Sequence, residues 1–164
     1  MAERKNKPYF FLELQWPYKE LSPNHKAHWA EKGRWVKQAR ADVYQEAQYQ
    51  GPNIQRLFPT QKLVSLRIFY PPTTGRNSGR QWDSDNLGAS MKAYQDGLFD
   101  FFRDRIDLEM DDRQVISTLN YVVQDGERDK GTVRFYLFAD NFSTWIEKIP
   151  AVLASIRLGV GDLF

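Results

Sequence analysis

"KLVSLRIFY", residues 62–70, is the stretch on which the fold turns. In an extended chain Val64, Leu66, Ile68 and Tyr70 point one way, and Leu63, Ser65, Arg67 and Phe69 the other. β-Branched, aliphatic and aromatic residues dominate, so the stretch reads as a strand. Upstream, Gly51-Pro52-Asn53 stops a helical run that extends from His25 to about Gln50. Trp29, Val36, Val43 and Ala47 form the apolar stripe of that run, with Ala39 beside it, and Trp29 is expected in the core. Downstream, PPTTGRNSGRQW is a loop that carries Arg76 and Arg80 directly into Asp83-Ser84-Asp85.

The remaining elements follow from the same periodicities. YFFLELQ, residues 9–15, reads as a strand ended by Trp16-Pro17. A helix is expected from about Asn86 to Phe102, with Leu87, Met91, Tyr94, Leu98 and Phe101 on its apolar face. VISTLNYVVQ and TVRFYLFA read as two strands joined by a hairpin loop through Asp125-Gly126 and Lys130-Gly131. In the tail, Thr144 and Glu147 make a capping pattern, and Trp145, Ile149, Val152 and Ile156 form a stripe that Pro150 should kink. The order β-α-β-α-β-β-α predicts a single α+β domain, with a mixed sheet of about four strands packed with helices. Residues 1–140 form that domain, and 141–164 a helical extension packed on it.

The chain has 164 residues, 41% of them hydrophobic, with five Trp and eleven Phe, enough for one real core. It has no cysteine, which excludes disulfides, thiol chemistry and a cysteine zinc site. No run approaches the roughly 20 apolar residues that span a bilayer, and no signal peptide is evident. A cytoplasmic protein without a membrane partner is expected. The formal net charge is only +2, but the charges are unevenly spread: aspartates crowd 83–112, and Lys and Arg crowd 26–40 and 76–80. A nucleic-acid partner would therefore meet one basic face set against an acidic cluster.

Asp83 and Asp85 have two uses. Either residue can cap the following helix. If the chain is still extended there, both carboxylates point to one side, and their repulsion is relieved by a divalent cation. Asp111 or Asp112 is then the candidate third ligand, since a turn returns them to the helix entrance.

Four stretches, in order, resemble the RusA family of Holliday-junction resolvases, which are common in phages and prophages. They are "WPYKELSPNHKAHW", "WDSDNL", "KAYQDGL" and "MDDRQV", covering about Tyr9 to Phe138. The resemblance implies a homodimeric endonuclease, dependent on Mg2+ or Mn2+, that cuts four-way DNA junctions symmetrically in recombination and repair. It places the metal on Asp83, Asp85 and Asp112, the second aspartate of the Asp-Asp pair. It also implies a catalytic lysine. The chain departs from the family there: the lysine's usual position, four residues after the second aspartate, holds Ala89, and Lys92 lies seven after Asp85. At about 100° per residue, offsets of four and seven differ by only about 60°, so Lys92 is assigned the role.

Arg76, Arg80, Lys26, Lys32, Arg34, Lys37 and Arg40 are candidates for DNA backbone contacts. Trp29, Trp35 and Trp82 are candidates to stack on bases. The rival functions are a metal nuclease acting on flaps or forks, and a DNA-binding module whose acids are only caps.

Overall fold

A computed structural model describes residues 10–50, 62–75, 81–123 and 130–139. Within them the chain forms strand β1 (Phe10–Gln15), helix α1 (Trp29–Gln50), strand β2 (Leu63–Tyr70), helices α2 (Ser84–Ser90) and α3 (Lys92–Ile106), and strands β3 (Val115–Val122) and β4 (Thr132–Ala139). The expected tail helix, the loop around Asp125, and Arg76 and Arg80 lie outside the described residues.

The four strands form one mixed sheet in the order β1-β4-β2-β3. β4 runs antiparallel to both neighbours, with Leu12 opposite Phe135 and Leu66 opposite Tyr136, while β2 and β3 are parallel. The α+β class with a mixed sheet is therefore as expected. The hairpin is not: β4 does not pair with β3 but inserts between β1 and β2. The connection from β2 to β3 is instead a crossover through α2 and α3, as parallel pairing requires.

Every residue of β2 is buried, because it is an inner strand with both faces covered. On one face, Leu63 and Phe69 join Phe10, Leu12, Val133 and Phe135 against the helices, where Phe10 and Phe102 meet edge to face at 5.2 Å. On the other, Leu66, Ile68 and Tyr70 cluster with Tyr136 and Phe138.

Two helical expectations are corrected. The segment after Asp85 is two helices, not one, because the backbone at Met91 (φ −81°, ψ −4°) leaves regular helical geometry. The offset arithmetic that assigned Lys92 from a continuous helix thus loses its basis. In α1, Ala39, Val43 and Ala47 are buried as the stripe predicts, but Trp29 is 80% exposed and is no core residue. Trp29 points in the right direction around the helix, yet it packs against no core cluster among the described residues. A helix of 22 residues is about 33 Å long, and a strand of eight spans only about 27 Å.

Candidate functional site

The site begins with a charge inside the sheet. Arg67 on β2 is only 5% exposed and faces the helices. Burial lowers its pKa to about 10, against the pull of the Asp112 carboxylate. Its guanidinium donates to the Gly88 carbonyl at 3.1 Å and to Gln95 Oε1 at 2.7 Å, and it lies over the Phe135 ring. The Gln95 amide continues the line, donating from Nε2 to Asp112 Oδ1 at 2.9 Å. Asp112 Oδ2 accepts from Lys92 Nζ, which also donates to Asp96 at 2.6 Å. A row of alternating charges, bridged by the neutral Gln95 amide, therefore runs from the sheet to the surface: Arg67, Gln95, Asp112, Lys92, Asp96.

The protonation states follow. Hydrogen bonding to Lys92 lowers the Asp112 pKa, outweighing burial and aided by Gln95. For Lys92 burial is the largest influence and acts downward, but the bonds to Asp112 and Asp96 together outweigh it and raise the pKa. Both groups are thus charged at neutral pH.

The structure separates the two aspartates that the sequence left open. Asp111 caps the 3-10 turn Asp112–Gln114 in a capping box, accepting from the Arg113 N–H while Gln114 accepts from the Asp111 N–H. Asp112 is the one turned towards Lys92 and Gln95.

Asp83 is the N-cap of α2. Its Oδ1 accepts from the Asp85 N–H at 2.9 Å, and its Oδ2 from Asn86 Nδ2 at 3.0 Å. Asp85 is exposed in the first turn. Asp83 lines a cleft of about 350 Å³ with Trp16, Tyr18, His25 and Trp82. Asp112 lines a different one of about 820 Å³, with Arg40, Lys62, Asp96 and Asp100.

As arranged, Asp83 and Asp112 are held by the protein's own donors. Both oxygens of Asp83 and both of Asp112 already accept hydrogen bonds, and an ammonium stands at Asp112 where a cation would sit. Among the described residues no three His, Cys, Asp or Glu side chains are grouped for a metal.

The four motif stretches nonetheless converge. Trp16 meets Trp82 edge to face at 4.8 Å, the Tyr18 N–H donates to the Tyr94 hydroxyl at 3.2 Å, and Lys92 and Gln95 both reach Asp112. Stretches as far apart as residues 16 and 112 form one continuous neighbourhood. Lys92, assigned on other grounds, is placed by α3 directly on Asp112.

The basic candidates divide. Lys26, Lys32, Arg34 and Lys37 are exposed at or near the start of α1, Arg34 lying over the Trp35 ring at 5.7 Å. Arg40 is held by Asp100 through Nε and Nη2, at 3.0 and 2.5 Å. Trp35 and Trp82 pack against the core. His25 and His28 both precede α1: His25 lines the Asp83 cleft, and His28 Nδ1 accepts from the Ala30 N–H at 3.3 Å.

Sequence reasoning missed Arg67 and Gln95. A signal was present for Arg67, an arginine inside an otherwise apolar strand, which must find an acceptor if both faces are buried. Gln95 carried none, since a glutamine beside a helix's apolar face is usually solvated.

No helix of the described residues is long and apolar enough to cross a membrane. No family model matches the chain. A protein of Xylella fastidiosa strain Temecula1, named only as an uncharacterized protein, is 37% identical over 123 residues, which are 74% of this chain and 71% of that protein.

Proposed function

Since the chain belongs to one family with the Xylella fastidiosa protein, whose name assigns no activity, we propose its function from the site itself: a structure-specific endodeoxyribonuclease of the RusA type, resolving four-way DNA junctions in the cytoplasm of a bacterial or phage-infected cell. The observation that carries this is the meeting of Lys92 with Asp112, 20 residues apart in sequence, inside a neighbourhood built from all four motif stretches. A lysine kept charged by two carboxylates suits a phosphodiester. A phosphoryl oxygen competes for the ammonium, and the charge then opposes the negative charge that develops on the phosphate and the leaving oxygen. Asp85, exposed in the first turn of α2 and free of the capping that occupies Asp83, is the carboxylate we assign to further chemistry. A homodimer suits the substrate, because a junction offers two strands related by a twofold axis.

The test is cleavage of junction, flap, fork and linear duplex DNA by the parent and by Asp85→Asn. The parent should cut the junction preferentially, and the variant should bind it but cut at least 100-fold more slowly, the order expected for loss of a group acting on the transition state. Equal cutting of linear duplex would remove the junction specificity. Parent-like cleavage by the variant would remove the site. Magnesium or manganese is a separate part of the proposal, since the carboxylates as placed offer no three-acid cradle. Titration calorimetry should show either ion binding the parent more tightly than Asp85→Asn; equal heats for both proteins would remove the metal.

A further inference from the structure

The start of α1 is exposed on every side up to Trp35. Residues 28–34 are all exposed, and a side-chain carbon added at Gly33 would meet nothing within 4 Å. This end of the helix projects beyond the body of the protein. On it stands Trp29, with 80% of its surface in water. Tryptophan is the side chain with the most area to gain from burial, so its place on a projecting end needs a reason other than folding. Its ring touches that of His28, with centroids 5.5 Å apart, and His28 is itself tied to the helix start through the Ala30 N–H. The indole is therefore presented rather than loose.

The surroundings define what it faces. Lys26, Lys32 and Lys37 are exposed, and none forms an ion pair with a carboxylate among the described residues. Glu31 is the only acid in the same stretch. The partner must offer negative charge at several points and a flat apolar face between them. Nucleic acid with an accessible base has both; an intact duplex has the charge but keeps its base faces stacked. His25, four residues upstream of Trp29, also lines the cleft that holds Asp83, so the projecting end lies alongside the proposed site.

We propose that Trp29 stacks on an unpaired DNA base, held there by phosphate contacts from Lys26, Lys32 and Lys37, and so favours DNA with opened bases over intact duplex. This rests on the DNA-acting function proposed above and adds to it the means of recognising a crossover.

The test uses the full chain and its Trp29→Ala and Trp29→Phe variants. Affinity is measured for an oligothymidylate, a linear duplex, and a four-way junction carrying a fluorescent adenine analogue at the crossover. Trp29→Ala should lose on the order of tenfold in affinity for the oligothymidylate and the junction, with duplex binding changed less than about twofold. Trp29→Phe should retain most of the affinity, since stacking needs only an aromatic face. The parent should change the analogue's fluorescence at the crossover, and Trp29→Ala should not. Equal losses on all three DNAs, or no loss on any, would overturn the stacking role while leaving the nuclease proposal standing. A parent that binds none of the DNAs would overturn both. If Trp29→Ala instead converts a dimer to a monomer in sedimentation, the residue belongs to a subunit interface and the proposal is wrong.

Discussion

Gln95 stands between a buried cation and a surface carboxylate, and its two ends are not equivalent. Its Oε1 accepts from Arg67 inside the protein, whereas its Nε2 serves Asp112 at the edge of solvent. Losing the second bond is cheap, because water replaces it. Losing the first leaves a buried guanidinium with the Gly88 carbonyl and the Phe135 ring as its remaining company. Gln95→Leu should therefore destabilise by about 3 kcal/mol, the upper end of the cost of leaving a buried donor unsatisfied, because the donor is charged. Arg67→Met removes the charge itself and leaves one unpaired amide oxygen, which costs about 1–2 kcal/mol. The combined variant leaves neither group stranded, so it should be more stable than Gln95→Leu alone by at least about 1 kcal/mol. Urea midpoints of the four proteins decide this. Simply additive losses would mean that Arg67 and Gln95 do not act as a pair.

At the scale of elements, α1 and α3 cross where a glycine permits it. A side-chain carbon on Gly97 would sit 2.6 Å from the Arg40 carbonyl oxygen and 2.5 Å from Val43 Cγ1. The carbonyl is main chain and cannot rotate away, so the helices must separate. Gly97→Ala should cost about 1–3 kcal/mol through overpacking, more than the gain of helix propensity returns. Gly33→Ala, in the same α1 but in open space, should stabilise by about 0.5–1 kcal/mol. Opposite signs in thermal unfolding would support the crossing, and a stabilised Gly97→Ala would refute it.

The elements themselves were readable in the sequence to differing degrees, for physical reasons. β2 was visible because an inner strand is apolar on both faces, and β1 because its aromatic run ends at Trp16-Pro17. The break at Met91 was hidden: Leu87, Met91, Tyr94 and Leu98 keep helical spacing across it, and Met91 itself stays in the right-handed helical region of backbone space. Trp29 misled for a related reason. Periodicity gives the direction of a side chain around an axis, not whether another element extends far enough to meet it.

At the scale of the whole molecule, what escaped the sequence is long-range. The strand order places β4 beside β1, pairing Phe10 with Leu137, and no local pattern reports a contact over that separation. The site shows the same division. The motifs named Asp83, Asp85, Asp112 and Lys92, and the fold does unite Lys92 with Asp112, but it assigns Asp83 and Asp112 to different clefts. α1 runs past both. Arg40 on its inner part lines the Asp112 cleft, where Asp100 holds it, while the residues leading into it border the Asp83 cleft. The chain's small net charge of +2 therefore conceals a polar arrangement, with lysines that form no ion pair among the described residues at one end of a long helix and Arg40 neutralised further along. Such an arrangement predicts how DNA binding should respond to salt. If Lys26, Lys32 and Lys37 each neutralise one phosphate, replacing all three by alanine should flatten the slope of log affinity against log salt by about 2–3. Arg40→Ala should leave that slope nearly unchanged, because its charge is already committed to Asp100. Affinities measured for the junction across a salt series separate the two cases. An unchanged slope in the triple variant would place the DNA on another face, and a flattened slope in Arg40→Ala would mean that its ion pair opens when DNA binds.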